Sequence, residues 1–386
     1  MNTADVVIIG GGIVGASVAW HLTEAGCRNV LMLERESHQG KGSTGKSMGG
    51  VRAQFATKPN IQMSLYSIPF YADFEARLGH PSGYRAQGYL FVATLPKHLE
   101  YLELNQKLQK SLGLQQAQML SREAVLEMVP QLRDDDILGG SFCPSDGFID
   151  PYSVMVGFTA RACEQGATLW RSTEVTAIYH DASGITGVET TRGPISTRLV
   201  VNAAGPWAAQ VAALAEVPLR VEPMRRMLVP TEPFDGVSHE APMVVDMSTG
   251  FHFRPESRGF LLAWCDPEEK TGFNLNFEPS FIEKVLTLAA DRVPCFENLA
   301  VNPKRAWAGL YEMSPDHHAI IGPAPEVRGF FCANGFSGHG AMHAPATGRM
   351  VADLIVHGRT EVVDDVEVLS PARFVEGKLL HETAVL

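Results

Sequence analysis

Near its start the chain carries a glycine pattern, Gly10-x-Gly12-x-x-Gly15, between the apolar run Val6–Ile9 and a stretch with helical spacing. In such a strand–turn–helix unit the glycines permit a tight turn, close approach of the backbone to a pyrophosphate, and close packing of the helix on the strand. Glu34 follows Gly15 by 19 residues, at the end of a second apolar run, where a carboxylate can accept hydrogen bonds from a ribose 2′-OH. The pattern therefore predicts a dinucleotide site with contacts at Gly10, Gly12, Ile13, Val14, Gly15, Glu34 and Arg35.

A second glycine-rich turn lies near the end of the chain, at Asn334–Gly340, directly before a predicted helix. Its bare N–H groups and the positive end of that helix could stabilise the reduced, anionic form of a flat, electron-accepting ring. The first motif does not separate NAD from FAD, because both cofactors present the same ADP half. In this chain the later strands of the sheet follow the opening unit only after long insertions, which favours FAD. The carboxylate of Glu34 would repel a 2′-phosphate and so disfavours NADP.

Other chemistry has little support in the sequence. The six cysteines are scattered and form no C-x-x-C pair, and the histidines have no spacing typical of metal ligands. No Ser-His-Asp or Cys-His arrangement stands out, so no motif favours hydrolysis. We therefore predict no metal site.

The residues of the two glycine turns need a scaffold of buried strands. Continuous apolar runs at Val6–Ile9, Val30–Leu33 and Leu199–Asn202 are typical of parallel strands that are covered on both faces. Residues 219–319 are instead rich in short strands separated by turns. We expect an α/β protein in which a Rossmann-type FAD-binding domain with a mainly parallel sheet is interleaved with an α+β substrate domain with a mainly antiparallel sheet. The FAD-binding domain would comprise residues 1–80, 145–218 and 322–370, the substrate domain residues 81–144 and 219–321, and a C-terminal tail residues 371–386.

Composition restricts the class of protein and its partners. The 386 residues are 45% hydrophobic and 19% charged, which is typical of a globular chain, and the net charge of −11 disfavours nucleic acid and anionic membranes as partners. We expect no membrane span, and the sparse cysteines favour a reducing, cytoplasmic location. The expected partners are a small-molecule substrate, an electron acceptor (oxygen or a carrier), and further subunits of a homo- or hetero-oligomer.

Seven blocks of sequence carry a recognisable pattern in a fixed order: Val6–Arg35, Gly42–Gly50, Ser145–Pro151, Glu174-Val175, Val200–Trp207, Trp307–Pro323 and Ala333–Pro345. In this order and spacing they resemble the D-amino-acid oxidase/sarcosine oxidase superfamily of FAD enzymes. The greatest similarity is to the β subunits of sarcosine oxidase and of dye-linked L-proline dehydrogenase, and to their single-chain relatives.

The resemblance implies FAD contacts beyond the opening motif. Ser43 and Thr44 would hold the phosphates or the ribityl chain, and Val175 would present its backbone to the adenine. Ala204, Gly205 and Trp207 would line the path of the ADP and ribityl groups, and Gly338, His339, Gly340 and Met342 would pack against the pyrimidine edge of the isoalloxazine ring. The further implied contacts are Gly49, Gly50, Gly309 and Gly335.

Two positions depart from the family pattern. Monomeric sarcosine oxidases attach FAD through a cysteine where this chain has Gly309, so we expect non-covalent FAD. The same enzymes have a carboxylate-binding lysine where this chain has Met342, so another cation would have to bind a substrate carboxylate.

Arginine suits bidentate recognition of a carboxylate, and the candidate cations are Arg52, Arg225, Arg226 and Arg254. Arg225 and Arg226 are adjacent on a predicted strand and point to opposite faces, so at most one can readily face the site. We expect catalytic-site roles for Arg52, Arg225, His252 and Tyr311, whereas His317 and His318 would flank a turn.

The expected function is oxidation of the C–N bond of an amine or amino acid to an imine, by hydride transfer to flavin N5. The substrate would be a secondary, N-methylated, proline-like or D-amino acid. Two alternatives remain: an FAD-dependent 2-hydroxy-acid dehydrogenase, with His252 or His317 as its base, and a non-catalytic flavoprotein subunit or assembly factor.

Overall fold

The computed structural model describes residues 2–383, so Met1 and residues 384–386 of the predicted tail lie outside it. Its helices are α1 (Ile13–Glu24), α2 (Lys58–Ala72), α3 (Phe74–Leu78), α4 (Pro96–Ser111), α5 (Arg122–Met128), α6 (Pro151–Glu164), α7 (Ala208–Ala213), α8 (Ser280–Arg292), α9 (Gly340–His357) and α10 (Arg373–Glu376). No helix in this range is long and apolar enough to cross a membrane.

The strands form four sheets in the described chain. They are β1 (Asn2–Thr3), β2 (Val6–Ile9), β3 (Val30–Leu33), β4 (Gly50–Val51), β5 (Tyr89–Ala93), β6 (Gln118–Ser121), β7 (Gly139–Cys143), β8 (Gly147–Phe148), β9 (Thr168–Trp170), β10 (Val175–Asp181), β11 (Gly184–Thr190), β12 (Ile195–Ser196), β13 (Val200–Asn202), β14 (Glu222–Pro230), β15 (Met243–Asp246), β16 (His252–Glu256), β17 (Gly259–Ala263), β18 (Trp307–Met313), β19 (Ile320–Pro323) and β20 (Phe330–Asn334).

A six-stranded sheet has the order β19-β20-β13-β2-β3-β9, and only the β19–β20 pair is antiparallel. Strand β2 is apolar throughout because both of its faces are covered. Val6 and Ile8 pack with helices α1, α6 and α9, whereas Val7 and Ile9 pack towards the small sheet β1-β12-β11-β10. The parallel register brings the loops after β2, β3, β13 and β20 to one edge of the sheet.

An eight-stranded sheet has the order β18-β14-β17-β16-β15-β5-β7-β6, and only the β15–β5 pair is parallel. Side chains on one face pack with helix α8 in an apolar core. On the opposite face, His252, Ala263 and Leu228 form a row across β16, β17 and β14. The predicted fold class is confirmed, with one mainly parallel and one mainly antiparallel sheet; the assignment of segments to two domains stays a prediction.

Candidate active site

A cavity of about 830 Å³ extends from the loop edge of the parallel sheet to the open face of the eight-stranded sheet. We call its two parts the nucleotide end, beside β2 and β3, and the sheet end, beside β14 and β16. Most of the residues predicted from the sequence line it: Gly10, Gly12, Ile13, Val14, Glu34, Arg35, Ser43, Thr44, Gly50, Arg52, Val175, Ala204, Gly205, Trp207, His252, Gly309, Tyr311, Gly338, His339, Gly340 and Met342. Gly15, Gly49, Gly335 and Arg225 do not.

At the nucleotide end, the carboxylate of Glu34 faces the glycine turn. It accepts hydrogen bonds from the backbone N–H groups of Gly11 (3.1 Å) and Glu36 (2.8 Å), and burial raises its pKa. Helix α1 has no side-chain cap at Gly12, and the hydroxyl of Thr44 accepts from the Ile13 N–H at 3.0 Å. The start of α1 thus presents backbone donors to the cavity, which suits a pyrophosphate.

Gly15 was predicted both to pack helix α1 on the strand and to contact the cofactor, but it does not line the cavity. A Cβ atom at this position would lie 2.0 Å from the carbonyl oxygen of Gly10, so glycine is needed for helix α1 to pack on the turn. Gly49 is likewise enclosed, since its Cβ would lie 2.4 Å from the carbonyl oxygen of Ile149. Both residues shape the cavity wall without lining it.

The middle of the cavity is bounded by the loop before β4 and by strand β18. The hydroxyl of Ser43 donates to the Leu310 carbonyl (2.6 Å), and the Trp307 indole donates to the Lys46 carbonyl (3.0 Å). A Cβ at Gly309 would lie 2.7 Å from the Cβ of Lys46. A side chain at position 309 would therefore require the Lys46 loop to move.

The second glycine turn is fixed by strand β18. Gly338 has φ +98°, and a Cβ there would lie 2.5 Å from the ring of Tyr311, so the turn and the ring are in close contact. The N–H of Gly335 donates to the carboxylate of Glu312 at 3.0 Å. This hydrogen bond holds Gly335 behind the residues that line the cavity. The sequence analysis did not single out Glu312, although this residue lies in the recognisable block Trp307–Pro323. Burial raises the pKa of its carboxyl to about 8.

Arg52 is 1% exposed and lies in the cavity wall just after β4. Its guanidinium carbon lies 3.9 Å from the centre of the Phe55 ring, and its Nη2 is 3.5 Å from Nε2 of His339. The buried carboxyl of Asp146 accepts from the Ala53 N–H (2.8 Å) and from the Gln54 amide (3.0 Å). Asp146 thereby fixes the backbone beside Arg52, a role that the motif around it did not reveal.

Arg225 is the main correction among the catalytic predictions. Its side chain leaves the cavity, binds Glu269 and Glu278, and donates to the Asn276 carbonyl at 2.7 Å. Its neighbour Arg226 points to the other side of β14 and lines the sheet end, because successive strand residues alternate between faces. Arg225 instead anchors the segment 266–278, of which Leu275 borders the cavity.

Arg226 lacks an acidic partner within residues 2–383. Its Nη1 donates to the backbone carbonyl of Arg225 (3.0 Å), its Nε has no partner, and its guanidinium carbon lies 5.2 Å from the centre of the Tyr311 ring. Arg254, by contrast, donates to the Met48 carbonyl, pairs with Glu256 and does not line the cavity.

His252 is neutral at physiological pH, since burial and then the nearby charges of Arg52 and Arg226 lower its pKa to about 4. Its Nδ1 lies 2.9 Å from the Gly250 carbonyl, which can only accept, so Nδ1 carries the proton and Nε2 is left as an acceptor. Burial raises the pKa of Tyr311 to about 12, so its hydroxyl stays protonated. The sheet end thus combines cations, the neutral acceptor of His252 and the hydroxyl of Tyr311.

The other walls of the sheet end were not predicted, because they come from strands without a motif: Tyr89, Leu228, Met243, Ala263, Trp264 and Cys265. His317 and His318 do not line the cavity; His318 lies beside the buried ion pair of Asp316 and Arg373. No group of three or more His, Cys, Asp or Glu side chains in residues 2–383 is arranged to hold a metal ion.

A parallel sheet with a glycine turn and a terminal carboxylate, joined by one cavity to an antiparallel sheet, defines a dinucleotide-dependent enzyme of the α/β class. Residues 5–354 match the family model described as "DAO: FAD dependent oxidoreductase", and the chain belongs to this family. The family predicted from the seven blocks is confirmed. The protein is an enzyme with FAD as its cofactor.

Known relatives cover nearly the whole chain. FAD-dependent oxidoreductase domain-containing protein 1 of Bos taurus is 32% identical over 99% of this chain and 87% of its own length. Mitochondrial dimethylglycine dehydrogenase of Mus musculus is 30% identical over 97% of this chain, which corresponds to 44% of that protein. The crystal structure of L-proline dehydrogenase from P. horikoshii has a TM-score of 0.91 and 31% identity, covering 98% of this chain and 99% of that one.

The cavity itself fits FAD. It is long enough to connect two distant glycine turns, and its nucleotide end offers backbone donors beside a carboxylate. At the other end of the cavity lies the second glycine turn. A side chain at Gly338 would contact the Tyr311 ring, and a side chain at Gly340 would contact the Phe336 ring.

Proposed function

We propose that the protein oxidises the C–N bond of an amine or amino acid, of the secondary, N-methylated, proline-like or D-amino-acid type. The observation that carries the proposal is Arg226, a guanidinium with no acidic partner among residues 2–383 that faces the same cavity as the second glycine turn. A carboxylate is the natural partner of such a group. Relatives named for dimethylglycine and L-proline support the amine class.

In the proposed reaction the substrate carbon loses a hydride equivalent and the nitrogen loses a proton, which leaves a C=N bond. Bound FAD supplies the two-electron acceptor, and the electrons then pass to oxygen or to a carrier. Water adds to the imine after release and gives a carbonyl compound and an amine. Electrons and protons therefore balance in this reaction, and the substrate forms no covalent bond with the protein.

The side chains of the sheet end bind the substrate and hold it in its uncharged amine form. Arg52 and Arg226 provide positive charge for a carboxylate and disfavour a protonated amine beside them. The free Nε2 of His252 accepts the amine N–H, and the hydroxyl of Tyr311 donates to the substrate. Apolar walls such as Leu228 and Met243 exclude water from the reacting bond.

We further propose that FAD is bound without a covalent link, since position 309 is a glycine pressed against Lys46. Glu34 would bind the adenosine ribose, Thr44 and the start of α1 the phosphates, and the turn Gly338–Gly340 the ring. A cytoplasmic location is supported by six cysteines that are all unpaired.

The test is an anaerobic titration of the purified FAD-loaded protein, followed by loss of the visible flavin absorbance. Sarcosine, L-proline and D-alanine form the amine panel, and lactate and 2-hydroxyglutarate form the matched hydroxy-acid panel. Bleaching by at least one amine and by no hydroxy acid supports the proposal. Bleaching by hydroxy acids alone, or by no compound when dithionite still bleaches the flavin, refutes it.

A further inference from the structure

A buried carboxylate supports the part of the chain that carries Arg52. Glu382 is 2% exposed and belongs to the last segment that the structure describes. Its carboxylate accepts hydrogen bonds from the Ala56 N–H (3.1 Å), the Thr57 hydroxyl (2.8 Å) and the Asn60 side-chain amide (3.0 Å). These donors belong to the start of helix α2, where a negative charge is favourable. Glu382 therefore ties this last segment to the beginning of α2.

Helix α2 in turn supports Arg52 from behind the cavity wall. The hydroxyl of Ser64 donates to the Arg52 carbonyl at 2.7 Å and lies 2.9 Å from Nε2 of His343, on the helix that follows the second glycine turn. The centre of the Phe55 ring, at the entrance to α2, lies 3.9 Å from the Arg52 guanidinium carbon and 4.8 Å from the centre of the His339 ring. A shift of the start of α2 would therefore move the charge that Arg52 presents to the cavity.

Thr57 also joins Glu382 to a buried histidine. The Thr57 hydroxyl oxygen lies 2.8 Å from Oε2 of Glu382 and 2.8 Å from Nε2 of His318. Nδ1 of His318 lies 2.8 Å from the Asp316 carbonyl, which can only accept, so Nδ1 carries a proton. A hydroxyl has one proton and donates to one neighbour at a time. Both contacts of Thr57 are therefore hydrogen bonds only if one additional proton is present, either on Nε2 of His318 or on the carboxyl of Glu382.

The groups around this chain of hydrogen bonds act on His318 in opposite directions. Burial lowers the pKa of His318, whereas its hydrogen bond to the Asp316 carbonyl and the charges of Asp316 and Glu382 raise it. Arg373, which is ion-paired with Asp316 at 2.8 Å, also lowers it, and the net shift is downward. The other titratable or charged groups in electrostatic reach are Arg52, Tyr101 and His317 for Glu382, and His339 and His343 for His318. The additional proton is thus held at acid pH and released as the pH rises.

We propose that Glu382 and His318 are positioning residues for Arg52, which share one proton through Thr57 and hold the start of α2 in place while that proton is present. This inference rests on the proposed function, because it concerns the charge that Arg52 presents to a substrate carboxylate. When the proton leaves, Thr57 satisfies only one of its two neighbours, and lone pairs oppose each other at the second contact. The start of α2 then shifts, and carboxylate binding beside Arg52 becomes weaker.

The test compares two replacements of Glu382. In Glu382→Gln the new amide can donate to Thr57, whose own proton then goes to His318, so the chain is complete without an additional proton. The Asn60 amide can rotate to present its oxygen to the new side chain. Glu382→Ala removes these hydrogen bonds altogether. The matched control is Glu376→Gln, which removes an exposed carboxylate from α10.

Butyrate, which stays ionised above pH 5.5, is titrated into the FAD-loaded proteins at pH 5.5 and at pH 8. The change in the flavin spectrum gives its Kd without turnover, and retained flavin absorbance verifies that each variant is folded. Glu312 also titrates in this range, but it is present in every variant, so its effect cancels when the variants are compared.

We expect the Kd for butyrate to rise from pH 5.5 to pH 8 by a factor that is about 3- to 10-fold larger in wild type and Glu376→Gln than in Glu382→Gln, since one hydrogen bond contributes about this much. Glu382→Ala should bind butyrate about tenfold more weakly than wild type at pH 5.5, where Glu382→Gln stays within about twofold. Equal pH dependence in wild type and Glu382→Gln overturns the inference. Wild-type affinity in Glu382→Ala, or no binding of butyrate to wild type, also overturns it.

The anaerobic titration with the amine panel tests the proposed function separately. If an amine bleaches the flavin and the variants of Glu382 bind butyrate with the same pH dependence as wild type, the function stands and this inference fails. If the variants behave as expected and no amine bleaches the flavin, the support of Arg52 by Glu382 stands and the proposed reaction fails.

Discussion

Replacement of Gly338 by alanine tests the contact between the second glycine turn and strand β18. Gly338 has φ +98°, and the new Cβ would lie 2.5 Å from Cε2 and 2.8 Å from Cζ of Tyr311. Carbon atoms prefer separations of about 3.5–4.0 Å, so the ring or the turn must move by about 1 Å. A shift of that size in a reacting site can cost about 100-fold in rate.

The matched control is Gly26→Ala. Gly26 has φ +91°, close to that of Gly338, but a Cβ there would meet nothing within 4 Å. Both substitutions carry the backbone cost of a left-handed conformation, about 1–2 kcal/mol, and only Gly338→Ala adds the collision. The control should therefore lower the melting temperature by a few degrees with unchanged FAD affinity and kcat/KM.

We expect Gly338→Ala to lower kcat/KM by about 10- to 100-fold, to weaken FAD binding, and to reduce the melting temperature more than Gly26→Ala does. Flavin fluorescence titration, thermal melts and steady-state kinetics measure these effects. In a Tyr311→Ala background the ring is absent, so Gly338→Ala should cost only the backbone term. The reasoning is refuted if Gly338→Ala costs the same stability in both backgrounds, or if the two alanine variants behave alike.

Three further predictions concern single side chains. Glu34→Ala should raise the Kd for FAD about tenfold or more, because the Gly11 and Glu36 N–H groups lose their acceptor; titration with FAD measures it, and an unchanged Kd contradicts the role. Glu312 has a folded pKa of about 8, above its usual value, so its stabilising contribution is full at acid pH and is lost as pH rises through 8. Glu312→Gln should therefore lose fewer degrees of melting temperature between pH 6 and pH 9 than wild type, and parallel curves would exclude this titration. Arg225→Met should speed proteolysis within residues 266–278 while flavin absorbance persists, and an unchanged cleavage rate would show that its ion pairs do not anchor the segment.

Much of the nucleotide end could be predicted from the sequence because its determinants are local. A turn between Ile9 and Ile13 needs glycines whatever the rest of the chain does, and continuous apolar runs specify strands that are covered on both faces. The family blocks extended this reasoning to the second turn at Gly338. Gly15 and Gly335 were predicted to contact the cofactor but do not line the cavity, and glycine is needed at both positions for packing. Their spacing alone does not separate packing from lining.

The sheet end was decided by tertiary structure. Alternation along β14 predicts that Arg225 and Arg226 face opposite ways, but only the pairing of β14 with β17 and β18 shows which face meets the cavity. Glu312, Asp146 and Trp264 gain their positions from segments far away in sequence. The sequence therefore predicted FAD and the fold class, since the two glycine turns, the apolar runs and the family blocks are patterns within short segments. The substrate-facing charges depended on strand register and on burial, which arise only when distant strands come together.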